Sequence, residues 1–529
     1  MKSLPSDSSA SCDVLIIGDC CVAAALTRRL KNSGARVLAV LDRQGHDAYR
    51  DDDVVCGELI QCDGFTGAFL VSVWDGQRAW CIQAAAIVIA LGERRVPEYD
   101  FYGLTPGERV HALTQVEGLL EQGQFGQPDE TVVLLNGLSH ENHPTITGRM
   151  LNLCARLQMQ STRCNTVLIT DNLKVAGRGL EALTVDVRRL GTFIYKLDGH
   201  RPVLHTAGEG RICLAFYDPI VRQHVELTAD RVIVDERIVP AERMARIVAT
   251  LRLRMDRSGF GQEDNVRRLT HLTNRRGIFV AGATRAVQSD EARQSEDDTL
   301  CAAVMSFLAG ADRSNIPEVH IDTGRCGLCL TCHRTCPYAA VKIGGHMEVV
   351  PEACQACGLC VAACPAKAIR MHGGEPTGTL RFVPGATTLS PRIVAFCCQR
   401  SAGEALTAAL ALMPRLPEGL IRIQVPCGGR VGTNDIAAAF EADADGVLVL
   451  TCHDDNCHSQ TGSDSARKRV EAVRNTLAAV GIEPERVRFS GIAANMGAEI
   501  ARICCEFDNC LRGLASQPGA QLTKRNNAI

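Results

Sequence analysis

Apolar and polar positions alternate most regularly at residues 12–41. Two apolar runs rich in β-branched residues flank a stretch whose apolar positions recur at helical spacing, and Gly34 ends that stretch. This order predicts a strand, a tight turn, a helix and a second strand, the βαβ unit that begins a parallel sheet. An apolar run at 84–91, which ends at Gly92, predicts a further strand.

The same pattern returns more weakly at residues 131–171. One apolar run ends at Gly137, helical spacing follows around 150–157, and a second run ends at Asp171. Further segments that fit such a sheet lie at 231–234, 277–282 and 285–310. We therefore predict two nested dinucleotide-type α/β units before residue 315.

The composition changes sharply near residue 320. Residues 320–372 contain eight cysteines, and a linker rich in Gly, Pro and Thr follows them. From 392 to 514, apolar runs alternate again with helical stretches, which predicts a small parallel sheet with helices on its faces. The polar residues 515–529 predict a disordered tail.

Length and composition place the chain among globular proteins of two to four domains, because 46% of its 529 residues are hydrophobic and 22% are charged. A net charge of −3 gives no field that favours nucleic acid or an anionic membrane. The N-terminus lacks the apolar region of a signal peptide, and the apolar runs have the length of strands. The sequence therefore predicts a cytoplasmic protein without direct membrane insertion, which reaches a membrane only through partner subunits.

The 26 cysteines change this picture, because a long cytosolic chain uses cysteine for metal binding or redox chemistry. Two motifs have three cysteines at two-residue spacing, a fourth after three more residues, and then proline. In bacterial two-cluster ferredoxins the fourth cysteine ligates the other cluster. One predicted [4Fe-4S] cluster is therefore held by Cys326, Cys329, Cys332 and Cys364, and the other by Cys354, Cys357, Cys360 and Cys336. Zinc is the alternative, although zinc sites rarely repeat this spacing in tandem.

A second set of cysteines follows three successive predicted strands of the last domain. These are Cys398, Cys427, Cys452 and Cys457. Because the carboxyl ends of parallel strands share one edge of a sheet, the four thiols are expected to converge there, which suits a [2Fe-2S] cluster. The alternatives are a zinc site of Cys452, His453, Cys457 and His458, or no metal. Cys397 adjoins Cys398, and the sequence leaves open which of the two is the ligand.

These residues carry a resemblance. The segments AFCC, VPCGGRV, EADADGVLVLTCHDDNCH and GIEPERVRFSGIAANMG resemble, in order and spacing, the delta subunit of methyl-viologen-reducing hydrogenase (the MvhD/FlpD family). The resemblance implies a [2Fe-2S] cluster and electron transfer between a hydrogenase or dehydrogenase and a heterodisulfide-reductase-type flavoprotein. One family cysteine is replaced here by Ser401.

The preceding part resembles the A subunit of heterodisulfide reductase and its relative QmoB, the B subunit of the quinone-interacting membrane-bound oxidoreductase. The segments that carry this resemblance are IIGDCCVAA, IALGERRVP, GFGQEDNVRRLTHLTNRRGIFVAGATRAVQSDEA and the ferredoxin motifs. The predicted domains are an FAD-binding Rossmann-like fold in two parts (12–110 and 236–315), a second nucleotide-fold-like domain (111–235), a 2x[4Fe-4S] ferredoxin-like domain (316–372), a linker (373–391), an MvhD/FlpD-like small α/β domain (392–514) and a disordered tail (515–529).

The predicted flavin site is incomplete. Its first turn keeps Gly18 and Ala23, but Cys20 stands where a glycine lets the backbone approach a pyrophosphate. The other predicted FAD-binding residues are Asp42, for a ribose hydroxyl, and Gly92, Gly277 and Gly282. The alternative is an inherited fold that has lost its flavin. In the second unit only Gly137 remains of a glycine-rich turn, so NAD(P) binding is not expected there.

No acid–base pair or nucleophile motif is evident, so no catalytic residue is predicted. The sequence therefore predicts an oxidoreductase subunit that relays electrons among FAD, two [4Fe-4S] clusters and a [2Fe-2S] cluster to partner subunits. The expected partners are heterodisulfide-reductase-like, hydrogenase, dehydrogenase or quinone-linked subunits. The alternatives are a flavin-based NAD(P)H-dependent or bifurcating oxidoreductase, and a scaffold whose cysteines bind zinc.

Overall fold

The first sheet begins at the N-terminal end of the chain. In the computed structural model the described residues are 9–18, 20–41, 53–161, 163–261, 270–310, 319–351, 353–371, 391–412 and 416–515. The first elements are β1 (Ser9–Gly18), α1 (Cys20–Asn32), β2 (Val37–Leu41), β3 (Val54–Cys56), β4 (Glu58–Phe65), β5 (Ala68–Trp74) and β6 (Ala79–Ala90). Their sheet has the order β3-β2-β1-β6-β5-β4, in which β1, β2, β3 and β6 are parallel and β4, β5 and β6 antiparallel.

A second parallel sheet follows. Its segment contains β7 (Glu93–Pro97), α2 (Tyr99–Tyr102), β8 (Val110–Ala112), α3 (Leu113–Glu121), β9 (Thr131–Asn136), α4 (Pro144–Gln160), β10 (Asn165–Thr170), α5 (Leu180–Arg189), β11 (Phe193–Lys196), β12 (Val203–Thr206), β13 (Ile212–Asp218), β14 (Gln223–Ala229), β15 (Arg231–Val234), β16 (Glu236–Pro240) and α6 (Met244–Leu251). The sheet order is β11-β10-β9-β15-β8, and β12-β13-β14 form a separate antiparallel sheet. The antiparallel pair β7–β16 joins this unit to the first sheet.

The chain then returns to the first sheet through β17 (Ile278–Val280), which pairs in parallel with β6, and α7 (Asp290–Leu308). Cores lie on both faces of that sheet: one contains Leu15 and Ile17, the other Val14 and Ile16. Burial on both faces explains the continuous apolar runs that predicted these strands.

The cysteine-rich module is built from short elements. They are β18 (Val319–Ile321), α8 (Thr331–Thr335), β19 (Val341–Ile343), β20 (Met347–Val349), α9 (Leu359–Ala363) and β21 (Ile369–Met371). Strands β18 and β21 pair antiparallel, as do β19 and β20. Each of the two helices carries the third cysteine of a motif, so the two halves of the module repeat the same local fold.

The last domain contains β22 (Ile393–Cys398), α10 (Ala402–Leu412), β23 (Leu420–Val425), α11 (Thr433–Glu441), β24 (Gly446–Thr451), α12 (Gly462–Ala479), β25 (Val487–Gly491) and α13 (Gly497–Ala515). Its four parallel strands have the order β23-β22-β24-β25. The last helix extends to Ala515, beyond the 507 expected from the sequence. The predicted α/β class, with parallel sheets and a ferredoxin-like module, is confirmed.

Within the described ranges, every helix is too short or too polar to cross a bilayer.

Candidate metal centres

The first cysteine motif and the last cysteine of the second motif share one cavity. Cys326, Cys329 and Cys332 line it together with Cys364, and the apolar side chains of Ile321 and Met347 close it, among others. Burial raises the pKa of the Cys332 thiol, and the nearby Cys326 and Cys364 thiols raise it further. The structure therefore brings together the four residues that the ferredoxin rule assigns to one cluster.

The other four cysteines of the module form a second group. Burial raises the pKa of Cys357 to about 12, and the neighbouring Cys336 and Cys354 thiols add to that shift. The pKa of Cys360 is raised by burial and then by Cys357, Cys336 and Cys354. Thiols that raise one another's pKa lie close together, so this group also matches the predicted ligand set.

The local backbone explains how both groups form. At equivalent positions of the two motifs the backbone has positive φ: Leu328 (49°) and Ala356 (47°), Leu330 (60°) and Gly358 (78°), Ala339 (51°) and Lys367 (51°). These left-handed turns direct backbone N–H groups towards sulfur. Donors of this kind are Ala340 to Cys336 at 3.4 Å, Ala356 to Cys354 at 3.4 Å and Ala368 to Cys364 at 3.3 Å. Hydrogen bonds to sulfur stabilise the thiolate form that binds metal.

The predicted thiols of the last domain also converge. Cys398, Cys427, Cys452 and Cys457 form one buried group, and the Sγ atoms of Cys398 and Cys452 are 3.6 Å apart. All four lie at or just past the carboxyl ends of β22, β23 and β24. The group is so closely packed that a Cβ added to Gly462 would lie 2.4 Å from Cys427 Sγ and 3.1 Å from Cys457 Sγ. The sequence analysis missed Gly462, although a glycine that opens a helix after a ligand loop is a usable signal.

The charges of this group are strongly coupled. Hydrogen bonds from Cys427 and Cys452 lower the pKa of Cys457, and a hydrogen bond from Cys452 lowers the pKa of Cys398 to about 7. The pKa of Cys427 is raised, first by Cys457, and that of Cys452 is raised, first by Cys398. Four thiols at this spacing therefore do not all ionise without a cation, and such a group suits a metal centre with positive iron or zinc.

The structure also distinguishes Cys397 from Cys398. The Cys397 thiol donates to the Ala395 carbonyl at 3.6 Å and packs in the core beside α10 and α13, whereas Cys398 lies in the thiol group. Of the alternative zinc set, His453 is exposed while the four thiols are buried. The thiol-only set is thus the one that the fold assembles.

The predicted flavin residues are only partly brought together. Gly18 ends β1, where a Cβ would lie 2.4 Å from the Ala90 carbonyl oxygen, and Ala23 packs beside it. Gly282 follows β17 at the same edge, since Val280 pairs with Ile89 of β6, and Gly92 follows β6 there. Gly277 lies at the opposite end of β17, where Phe307 and Phe69 surround it, so it does not join that edge. Asp42 lies outside the described residues.

The second nucleotide-type sheet has a polar cluster at its carboxyl edge. The carboxylate of Asp235 is buried and accepts hydrogen bonds from Gly137 N at 2.6 Å, Asn142 Nδ2 at 2.9 Å and the Tyr102 hydroxyl at 3.1 Å. The N–H group that a dinucleotide phosphate would contact is therefore already bonded to a side chain of the protein. A neighbouring cavity of about 300 Å³ is lined by Ser139, His140 and Arg201, among others.

Two protein families match parts of this chain. Residues 393–515 match the methyl-viologen-reducing hydrogenase, delta subunit, and residues 318–370 match the 4Fe-4S dicluster domain. The second match confirms the prediction of an iron–sulfur protein. A thioredoxin reductase structure from T. acidophilum has 13% identity and a TM-score of 0.39, with 57% of this chain and 99% of that chain covered. That similarity is too low to carry a functional argument.

Two relatives support the predicted resemblance. The D-type iron-sulfur subunit of the F420-non-reducing hydrogenase of Archaeoglobus profundus is 36% identical over 124 residues, which are 23% of this chain and 90% of that protein. The A-type subunit of the ferredoxin:CoB-CoM heterodisulfide reductase of Methanosarcina mazei is 26% identical over 238 residues, 44% of this chain, but this chain spans only 30% of that relative. Through residues 393–515, the chain belongs to the family of the methyl-viologen-reducing hydrogenase delta subunit.

Proposed function

We propose that this chain is an electron-transfer subunit of a multi-subunit redox complex. It would hold two [4Fe-4S] clusters on the ferredoxin-type cysteines, a [2Fe-2S] centre on Cys398, Cys427, Cys452 and Cys457, and FAD at the edge formed by Gly18, Gly92 and Gly282. The observation that carries the proposal is one of packing: Cys357 of the ferredoxin module lies against the four buried thiols of the last domain.

The donor sets support iron. Each of the three groups consists of four thiols, and two of the groups receive backbone N–H donors at sulfur. Iron–sulfur clusters require such thiolate sets, and burial together with hydrogen bonds to sulfur sets their reduction potentials. Zinc also binds four cysteines, so elemental analysis must distinguish the two metals. Bound iron–sulfur clusters would accept and donate single electrons.

The protein's own residues hold the three modules in contact. Phe65, at the tip of the β4–β5 hairpin, packs against the buried residues beside Cys336 and Cys354. Asn274 donates to the Pro337 carbonyl at 3.3 Å, and the Tyr338 hydroxyl donates to the His458 carbonyl at 3.2 Å. The nucleotide-type fold, the ferredoxin module and the last domain therefore meet around the second cysteine group, and these contacts keep water away from it.

The names of the relatives indicate the kind of complex. We propose a hydrogenase-like or heterodisulfide-reductase-like assembly, or a quinone-linked assembly of the QmoB type, in which partner subunits supply and remove electrons. The described residues that form the three thiol groups and the glycine edge offer binding groups rather than an acid–base pair, which fits a protein whose substrates are the electrons themselves.

Iron and acid-labile sulfide measured in anaerobically prepared protein test the proposal, together with EPR after dithionite. We expect about ten irons per chain, from two four-iron clusters and one two-iron cluster. Cys398→Ser should remove about two irons and one EPR signal. Cys397→Ser is the matched control, since that thiol lies in the core, and it should keep the full iron content. Stoichiometric zinc with no EPR signal would overturn the proposal.

The alternative, an oxidoreductase that takes hydride from NAD(P)H, requires phosphate contacts at the first turn of the second sheet. Gly137 N–H already donates to Asp235 there. We therefore expect NADH to leave the visible absorbance of the purified protein unchanged. Bleaching by NADH, without any partner protein present, would favour the alternative.

A further inference from the structure

Ser459 lies between the ferredoxin module and the last domain. It follows Cys457 by two residues and is 3% exposed. A Cβ added to Gly462 would lie within 4 Å of Cys427 Sγ, Cys457 Sγ and Ser459 Cβ at once, which places the serine directly beside the four-thiol group. Cys357, from the other module, packs against the same group.

The loop that carries Ser459 is firmly held. Gln460 N donates to the Cys457 carbonyl at 2.9 Å, and Thr461 N donates to the Ser459 carbonyl at 2.7 Å. From the other module, Tyr338 donates to the His458 carbonyl. The direction of the Ser459 side chain is therefore fixed by contacts on both sides of the interface.

The Ser459 hydroxyl reaches two sulfur atoms that belong to different groups. Its side chain hydrogen-bonds with the Cys357 thiol and with the Cys427 thiol, and at both it lowers the pKa against the larger effect of burial. A serine hydroxyl has one proton, so it cannot donate fully to both sulfur atoms at the same time. The sulfur with more negative charge attracts the larger share of the hydrogen bond.

We propose that Ser459 is a positioning residue that tunes both the second ferredoxin-type cluster and the C-terminal centre by sharing one hydroxyl proton between Cys357 and Cys427. This inference rests on the proposed function. A hydrogen bond to ligand sulfur stabilises the reduced, more negative state and therefore raises the reduction potential. Because the proton is shared, reduction of one centre draws it away from the other and makes the second reduction harder.

Potentiometric titrations followed by EPR test the proposal on the full chain. With Ser459→Ala, the ratio of reduced to oxidised protein at the wild-type midpoint should fall by roughly three- to tenfold for both centres. The cluster held by Cys326, Cys329, Cys332 and Cys364 does not touch this serine and should keep its potential, so it is an internal control. Ser459→Thr, which keeps the hydroxyl, should restore both potentials.

A second serine provides a matched control. Ser401 is fully buried near the same thiols, but its hydroxyl donates to the carbonyls of Thr451 and Ile492. Ser401→Ala should leave all potentials unchanged. Ser459→Gly removes the same hydroxyl with less volume and gives the answer should the alanine variant fail to assemble.

The outcomes separate the two proposals. Normal EPR signals with unmoved potentials in Ser459→Ala and Ser459→Gly overturn the role of Ser459 and leave the proposed function intact. Shifts of equal size in all three centres also overturn it, because they indicate a general change of structure. Wild-type protein without iron or EPR signals overturns both proposals.

Discussion

The two cysteine motifs of the ferredoxin module have the same spacing and the same backbone turns, but their surroundings differ. In the first motif Leu328 is 53% exposed, Cys329 is exposed, and a hydrogen bond with Thr331 lowers the pKa of the Cys329 thiol. In the second motif the equivalent Ala356 is 4% exposed, and burial raises the pKa of Cys357. Identical cysteine spacing therefore leads to one surface-facing group and one interior group.

The difference arises from the neighbouring domain. Position 330 is leucine and position 358 is glycine, although both have positive φ. The left-handed turn alone thus does not require glycine. A Cβ at position 358 would lie 2.4 Å from Arg430 Cδ, so the close approach of the last domain does. Spacing determines which thiols form a group, and the long-range contacts determine which group solvent and partners can reach.

The largest effect is expected from breaking the crossed pairing of the motifs. Cys364→Ala should remove about four irons and free the three cysteines of the first motif, because Cys364 lies in their cavity. Alkylation followed by mass spectrometry should then label Cys326, Cys329 and Cys332. Cys336→Ala is the reciprocal variant and should free Cys354, Cys357 and Cys360. Labelling within the mutated motif instead would show that each motif serves its own cluster.

The next prediction sharpens the contrast in exposure. When wild-type protein is treated with ferricyanide and a chelator, iron should leave the first group before the second, because solvent reaches Cys329 directly. Iodoacetamide should then label Cys329 roughly tenfold faster than Cys357, since access and thiolate character control cysteine reactivity. Equal rates of labelling would contradict the assignment of a surface-facing and an interior group.

Much of the site could be predicted from sequence because its determinants are local. Thiol spacing is set by a few backbone turns, and the continuous apolar runs of β22 and β24 are buried on both faces, so their ends, and the cysteines found there, were predictable. The β4–β5 hairpin was not predicted. Its edge strand β4 is mostly exposed and therefore has only a weak apolar pattern.

What failed depends on contacts between distant segments. Gly277 was predicted at the flavin edge, but the parallel register with β6 places it at the other end of its strand. No spacing rule identifies Ser459, Gly358 or Arg430, because their roles follow from the docking of two domains. Sequence could not decide between Cys397 and Cys398 either, as that choice depends on which face of β22 meets the core.

A smaller effect is expected at the domain contact itself. Gly358→Ala would add strain at φ 78° and overlap with the buried Arg430 side chain, which is paired with Asp435. We expect a loss of about 2–4 kcal/mol in the free energy of unfolding and faster labelling of Cys357. Gly345→Ala, in open space within the same module, is the control. Chemical denaturation measures both, and equal stability of the two variants would contradict the steric account.

The smallest effect tests the hydrogen bond that joins the second cysteine group to the loop of Ser459. Tyr338→Phe removes the bond from the Tyr338 hydroxyl to the His458 carbonyl and keeps the ring in its buried position. The free energy of unfolding should fall by about 0.5–1.5 kcal/mol. Tyr217→Phe, which retains the ring contacts with His200 and His224, should change it less. Because the loop then loses its anchor on the ferredoxin side, Cys357 should become labelled somewhat faster while Cys329 does not, which narrows the contrast between the motifs from one side only. A change in Cys329 labelling of the same size would mean that the bond stabilises the whole module rather than the contact with the last domain.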